Sequence, residues 1–196
     1  MTLKISSLLP FIGEYAAASV LCEKKEKYGM INRRGDFVIP PLWDMISYAG
    51  GDCVALSVGF YRGDDCNDED DGIWSLCSLS GRSVAQTKFN DIQLWGDSLH
   101  FTASDLVSKR YGIANIYGDV LVSFEYDYLS TPNSKGWIYA TRDGKNGYIN
   151  ISGEVMIPVI YDELSPIFET SSDDWLAVER DGECYYIDQM NKRVLL

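Results

Sequence analysis

One phrase recurs along this 196-residue chain and constrains its fold more than any other feature. It reads YGMINRRGDFVIPPLWDMIS at residues 28–47, YGIANIYGDVLVSFEYDYLS at 111–130 and NGYINISGEVMIPVIYDELSP at 146–166. With a more divergent copy included, the phrases align on a glycine with spacings of 46, 37 and 35 residues, at Gly35, Gly81, Gly118 and Gly153. Periods of this length are typical of repeat proteins.

Two further positions are shared relative to this glycine. Six residues before it stands Gly or Ser, and eight residues after it stands an aromatic residue followed by Asp or Asn. The first set is Gly29, Ser75, Gly112 and Gly147, and the second is Trp43-Asp44, Phe89-Asn90, Tyr126-Asp127 and Tyr161-Asp162. A truncated fifth copy closes the chain, since WIYATRDGKNGYIN (137–150) recurs as WLAVERDGECYYID (175–188).

The segments between these positions predict strands. YAAASVL and WIYAT alternate as half-buried strands do, and Asp143-Gly144 and Asp181-Gly182 predict tight hairpins because both positions tolerate positive φ. The 13 Tyr and the absence of long helical patterns favour the same class. We therefore expect an all-β fold of tandem hairpin-rich repeats, about four and a half units, forming a curved or propeller-like β-repeat array. One domain would span residues 1–196, with units of about 15–52, 53–97, 98–134, 135–172 and 173–196.

The pattern resembles the WG (KWG) β-repeat family of bacterial proteins. Units of that family read Trp-Gly-aromatic-Ile-Asp, then Gly, then Val-Ile-Pro, then Tyr-Asp, and NGYINISGEVMIPVIYDEL follows that order. The resemblance covers about residues 15–196. No copy keeps the Trp-Gly dipeptide, which is replaced by Tyr28-Gly29, Trp74-Ser75, Tyr111-Gly112, Asn146-Gly147 and Cys184-Tyr185. The resemblance implies a binding role and an association with interbacterial toxin and immunity systems.

The repeated residues themselves predict architecture more than chemistry. The glycines would supply turn conformations, the aromatic residues would fill the core between units, and Asp44, Asp127 and Asp162 would cap local turns. The alternative for the three Asp residues is a ring that holds a metal. We expect no metal and no cofactor.

The net charge of −12 is unevenly distributed. Residues 1–35 carry six basic and three acidic residues, a sum of +3, so the remainder carries −15. Nucleic acid and anionic membranes would be repelled, whereas a basic protein would be attracted. The alternative is that the charge only keeps the protein in solution.

Two acidic segments are the candidate partner-binding surfaces. The first, RGDDCNDEDDG at 62–72, interrupts the second copy, and the other lies in the last copy within 173–183. Their candidate residues are Asp64, Asp65, Asp68, Glu69, Asp70 and Asp71 in the first, and Asp173, Asp174, Glu179, Asp181 and Glu183 in the second. A solvated hairpin tip is one alternative for the first segment. A calcium loop is another, although with Gly72 at the loop glycine Ser78 falls where a bidentate Glu belongs.

Catalytic motifs are scarce. The single histidine, His100, lies in a strand-like segment, and the five Cys residues have irregular spacings without a CxxC pair. No HExxH, P-loop or GxGxxG sequence occurs. We therefore predict that the protein is not an enzyme. The abundant carboxylates leave chemistry like that of glycosidases as an alternative.

The sequence thus predicts a cytoplasmic, acidic binding protein, most concretely an immunity protein that binds a basic, nuclease-like toxin and blocks its active cleft. The N-terminal apolar run is broken at Ser6, Ser7 and Pro10, unlike a signal peptide. The alternative function is a general protein-interaction scaffold that binds through exposed aromatic residues such as Tyr61 or Trp95.

Overall fold

The computed structural model describes residues 4–58, 72–82, 88–97, 99–165 and 175–194. Throughout these ranges the chain forms strands and turns without a helix, so the all-β prediction of hairpin-rich repeats is confirmed. It follows that none of these segments is a helix long and apolar enough to cross a membrane. The chain divides into two compact bodies, and residues up to Ile92 make most of the first.

The first body contains two sets of antiparallel strands that follow chain order. The first set is β1 (Ile5–Leu8), β2 (Tyr15–Cys22), β3 (Lys25–Asn32) and β4 (Phe37–Trp43), and the second is β5 (Met45–Gly50), β6 (Cys53–Val58), β7 (Ile73–Ser78) and β8 (Phe89–Leu94), whose last residues belong to the second body.

The second body contains three further sets, again antiparallel and in chain order. They are β9 (His100–Asp105), β10 (Tyr111–Asn115) and β11 (Val120–Tyr126); β12 (Tyr128–Leu129), β13 (Ile138–Arg142), β14 (Lys145–Ile149) and β15 (Val155–Tyr161); and β16 (Glu163–Leu164), β17 (Trp175–Arg180), β18 (Glu183–Asp188) and β19 (Arg193–Val194). The first of these three sets continues the sheet of β5 to β8, so that these seven strands form one sheet. We refer to the five sets as repeats 1 to 5. The single-domain assignment and the curved or propeller-like arrangement stay predictions.

The structure adds a strand where the sequence predicted a connection. A strand begins directly after the aromatic-Asp pair in three places, as β5, β12 and β16, and it pairs with the first hairpin strand of the following repeat. The Asp is the single residue between the last strand of one sheet and the first strand of the next. Its backbone N–H donates to the second of these sheets; the N–H of Asp127, for example, donates to the Thr141 carbonyl at 2.8 Å. Each aromatic-Asp pair therefore straddles a boundary between repeats. In repeat 2 the pair Phe89-Asn90 lies inside β8 instead.

The predicted turns are confirmed. The aligned glycines have φ values of 86°, 89°, 93° and 79°, at Gly35, Gly81, Gly118 and Gly153. Three residues earlier an Asn or Ser side chain accepts a backbone N–H of the same turn, as Asn150 Oδ1 does from Glu154 at 3.0 Å. Both residues of Asp143-Gly144 and of Asp181-Gly182 have positive φ, as type I′ hairpins require.

The second set of glycines serves a different purpose from the turns expected for it. Gly29, Gly112 and Gly147 lie within strands, opposite a bulge in the following strand. A Cβ atom on Gly147 would stand 2.6 Å from the Ile157 carbonyl oxygen, and one on Gly29 or Gly112 would be about as close to backbone. Close approach of two backbones therefore requires glycine here.

Consecutive repeats are held together by apolar side chains, as the sequence predicted. We call the sheet face that packs on the preceding repeat the inner face, and the opposite one the outer face. In the second body the outer face of repeat 4 packs against the inner face of repeat 5 through Trp137, Tyr148, Ile157, Tyr161, Leu164, Leu176, Val178 and Ile187. Equivalent clusters join repeat 1 to repeat 2 and repeat 3 to repeat 4. The aromatic residues of the pairs are mostly buried, including Phe89, Tyr126 and Tyr161.

Candidate binding surface

The predicted partner-binding residues divide into two groups. Asp64, Asp65, Asp68, Glu69, Asp70, Asp71, Asp173 and Asp174 lie outside the described residues. The remaining three, Glu179, Asp181 and Glu183, lie close together on the hairpin of β17 and β18 in repeat 5. This hairpin is therefore the described part of the predicted surface.

Two of these three carboxylates have basic partners within the chain. Arg193 Nη2 donates to Glu183 Oε1 at 2.5 Å, and this hydrogen bond raises the pKa of the Arg193 guanidinium. Arg180 Nε lies 3.4 Å from Asp181 Oδ2. All four side chains are about half exposed or more, so their pairing is expected to contribute little to stability. Arg193 follows the predicted acidic segment, and only the strand pairing of β18 with β19 brings it to Glu183.

Glu179 differs from its neighbours because it faces outward beside another carboxylate. It is the direct cross-strand partner of Glu163 on β16, and on its other side it is opposite Cys184. The Cys184 Sγ lies 3.9 Å from Glu179 Oε2. Within the described part of the chain neither Glu163 nor Glu179 has a basic partner. The two like charges on adjacent strands form an acidic pair, and Glu163 was not among the predicted site residues.

An open groove of about 480 Å³ lies over this part of repeat 5. Its lining is mostly apolar and consists of Glu163, Leu164, Ser165, Ala177, Val178, Glu179, Cys184, Tyr185 and Tyr186. Trp175 lies on the same outer face, because side chains alternate along β17 and Trp175, Ala177 and Glu179 share one side. The surface thus combines exposed aromatic and apolar area with an acidic pair.

The repeated Asp residues form ion pairs with a basic residue 17 positions earlier in the chain. Lys27 Nζ lies 2.5 Å from Asp44 Oδ1, and Arg110 pairs with Asp127 and Lys145 with Asp162 in the same way. In each of these three repeats the basic residue directly precedes the Tyr-Gly or Asn-Gly pair, and the Asp follows the bulged strand. We call these the repeat ion pairs.

Repeat 2 supports this assignment because it lacks both charges. At the corresponding positions, again 17 residues apart, stand Ile73 and Asn90. Asp162 also accepts the backbone N–H of Asp181 at 2.8 Å, and the hydrogen bond from Lys145 together with this one lowers its pKa. Ion pairing is therefore the main role of these residues, and capping of a turn is an additional role of Asp162.

The other residues considered for chemistry or binding take part in packing and hydrogen bonds within the fold. The ring of His100 in β9 lies 5.7 Å from that of Trp95, whose indole N–H donates to Thr102 Oγ1 at 2.9 Å. Trp95 is buried, so the prediction that it is an exposed anchor for a scaffold was wrong, and Tyr61 lies outside the described residues.

Among the described residues no group of three or more His, Cys, Asp or Glu side chains could hold a metal ion. The calcium alternative concerned a loop that is not described.

These features define an all-β repeat protein in which repeats 1 and 2, repeats 3 and 4, and repeats 4 and 5 pack on one another through apolar side chains. Two of its segments match a known repeat family: the family model described as "WG containing repeat" matches residues 28–51 and 147–184. The first range covers most of β3, β4 and β5, and the second extends from repeat 4 into the last hairpin. The resemblance inferred from the sequence is therefore confirmed.

Two further comparisons concern the whole chain. No curated protein matches the sequence. The fold is similar to a solved structure described as the crystal structure of the eukaryotic initiation factor, with a TM-score of 0.50 and 9% sequence identity. The similarity covers 97% of this chain but 54% of that one. At this identity the likeness concerns the fold alone.

Proposed function

We propose that this protein is a non-enzymatic protein-binding module, most concretely a bacterial immunity protein that binds and neutralises a basic, nuclease-like toxin in the cytoplasm. The observation that carries the proposal is the acidic pair Glu163 and Glu179, which lies on an open apolar face without a basic partner among the described residues. Carboxylates without a basic partner in the described part of the chain are available to a basic protein.

The mechanism follows from charge and from steric blocking. A nuclease cleft is lined by Lys and Arg because it binds phosphates. Carboxylates of residues 64–71 and of 173–183, together with Glu163, would pair with these groups and exclude the nucleic acid. The net charge of −12 would accelerate the encounter, and the association rate would fall as salt rises.

The test begins with capture of partners from the native host at low and high ionic strength, with identification by mass spectrometry. A stoichiometric basic protein released by salt is expected, and it should have nuclease activity that the purified immunity protein inhibits. Two charge-neutralised variants identify the surface: one changes the acids of 64–71 to Asn or Gln, and the other does so for Glu163, Asp173, Asp174 and Glu179. If both together leave affinity and its salt dependence unchanged, the proposal fails.

The second candidate function is a general interaction scaffold without a toxin partner. The observation that favours it is the exposure of Trp175 and Tyr186 on the same face, since aromatic side chains dominate many protein interfaces. Binding would then vary little with salt and would be lost on substitution of the aromatic residues rather than of the carboxylates.

A further inference from the structure

The outer face of repeat 5 repeats a surface that is buried in repeat 4. The two hairpins align with an offset of 38 residues, which places Trp175 on Trp137 and Tyr186 on Tyr148. Trp137 and Tyr148 are 8% and 3% exposed because repeat 5 covers them. Trp175 and Tyr186 are 47% and 42% exposed. The same residue types in the same positions are therefore covered in one repeat and uncovered in the next.

The outer face is buried in each of the four earlier repeats. Its buried residues are Met30 and Ile39 in repeat 1, Ala55 and Leu76 in repeat 2, Ile113 and Val122 in repeat 3, and Trp137, Tyr148 and Ile157 in repeat 4. Where the covering layer lies in the same body, it is a β-hairpin with apolar side chains at alternate positions, such as Leu176, Val178 and Ile187. A β-hairpin with apolar side chains at alternate positions is therefore the kind of surface that packs on this face.

Repeat 5 differs from the others in charge. Glu179 stands where repeat 4 has Thr141, and the buried hydroxyl residues Ser19, Ser57 and Ser104 hold the corresponding place in repeats 1 to 3. Glu163 lies directly opposite on β16. A layer placed on this face would desolvate both carboxylates, so it must bring a basic side chain to offset the cost. An uncharged repeat of the kind found inside this chain would not suffice.

A second copy of the chain does not meet this requirement. Two copies facing each other through this surface would bring Glu163 and Glu179 of both into one contact, and like charges in an interface cost free energy. Head-to-tail stacking would need the inner face of repeat 1, but its apolar residues Ala16, Ala18 and Ile31 are already buried. The face therefore fits a different protein.

We propose that the outer face of repeat 5 is a docking site for an apolar β-hairpin of a partner protein that carries a Lys or Arg opposite Glu163 and Glu179. This inference rests on the proposed binding function and specifies its surface and its partner's shape. Trp175 and Tyr186 supply the apolar contact, and the two carboxylates select the basic residue. The partner's hairpin lies on the sheet as the next repeat would, and the groove of about 480 Å³ receives its side chains.

The test uses a displayed library of short, disulfide-closed β-hairpins, randomised on one face and selected against the full-length protein. Enriched hairpins should alternate apolar residues and include Lys or Arg. One enriched hairpin is then synthesised and its affinity measured for variants. Trp175→Ser with Tyr186→Ser should weaken binding about thirtyfold, in the range of aromatic hot spots, and Glu163→Gln with Glu179→Gln about fivefold. Tyr117→Ser, which removes an exposed aromatic residue elsewhere, is the matched control and should change nothing.

Four results would overturn the inference. Enriched hairpins could bind the Trp175 and Tyr186 variant as tightly as the unchanged protein, or Trp175 could be shielded from acrylamide in the free protein. Sedimentation could also show self-association that the same variant abolishes, which would make a second copy the occupant. A toxin partner that binds this variant normally would refute the docking site and leave the proposed function intact. Hairpin binding at this face without any toxin partner would support the docking site and refute the proposed immunity function.

Discussion

Exchanging the repeat ion pair of repeat 1 for the uncharged pair of repeat 2 is the perturbation for which the structure makes its most quantitative prediction. The variants are Lys27→Ile, Asp44→Asn and the double variant, because Ile73 and Asn90 occupy these positions naturally. The side chains of Lys27 and Asp44 are 26% and 15% exposed, against 39% and 36% for Lys145 and Asp162. The pair in repeat 1 is thus the less hydrated of the two.

The burial sets the expected magnitude. A salt bridge at the surface is worth at most about 1 kcal/mol, but a hydrogen bond to a charged, partly buried group contributes about 1.5–3 kcal/mol. Either single variant removes the interaction between the two side chains and should lower the free energy of unfolding by about that amount. The double variant should lose no more free energy of unfolding than the more destabilised single variant. The double-mutant cycle then gives a coupling energy between Lys27 and Asp44 of about 1.5–3 kcal/mol. The corresponding cycle at Lys145 and Asp162 should give a smaller coupling that 1 M NaCl reduces further.

The assay is urea unfolding followed by circular dichroism and by tryptophan fluorescence, with coinciding transitions and an unchanged urea slope as conditions. Strictly additive losses in the double variant of repeat 1 would falsify the argument, because they would mean that Lys27 and Asp44 do not stabilise one another. Equal couplings in repeats 1 and 4 would show that burial does not set the magnitude.

Three other perturbations have expected outcomes. Gly147→Ala should destabilise the protein by about 3 kcal/mol in urea unfolding, since its Cβ would overlap backbone atoms, whereas Gly96→Ala has open space and should be nearly neutral. Lys24→Gly should stabilise by about 1 kcal/mol, because the hairpin holds this residue at a φ of 72°. Burial raises the pKa of the Cys77 thiol to about 11, so its contribution to stability is complete below pH 9 and is lost as pH rises through 11. Cys77 should accordingly resist alkylation at pH 8, while the exposed Cys184 reacts.

Each of these predictions has its own contradicting result. Equal losses from the two glycine variants would mean that the backbone approach at the bulge is not close. A loss of stability in the Lys24→Gly variant would mean that the Lys24 side chain makes contacts that outweigh its backbone strain. Equal alkylation rates for the two thiols in the native protein would mean that Cys77 is accessible.

The sequence predicted the elements that depend on local chemistry. The type I′ turn at Asp143-Gly144 and the positive φ at Gly153 follow from residues next to each other in the chain, and both are as expected. The repeat ion pairs were missed although a signal was present. In three copies a basic residue directly precedes the Tyr-Gly or Asn-Gly pair. Repeat 2 has neither this basic residue nor the Asp that lies 17 positions after it in the other copies. Correlated loss of opposite charges is evidence of contact.

The remaining features depend on what a neighbouring repeat covers. Trp137 and Trp175 begin equivalent segments of two repeats, yet one is buried and the other is half exposed. Residues of repeat 5 pack on Trp137, so its burial depends on a neighbouring repeat and not on its own segment alone. For the same reason the acidic pair was not predicted. Glu163 and Glu179 are 16 residues apart, and only the register of β16 with β17 makes them neighbours.

The aromatic-Asp pairs that straddle the boundaries also determine how such a gene can change its length. Removal of residues 127–161, a deletion of 35 codons, joins Tyr126 directly to Asp162 and recreates the Tyr-Asp junction unchanged. Asp162 would then meet Arg110 in place of Asp127, so that the charge interaction is preserved along with the backbone connection. Unequal recombination between copies that share the Tyr-Asp junction therefore yields shorter or longer arrays in which that junction is intact.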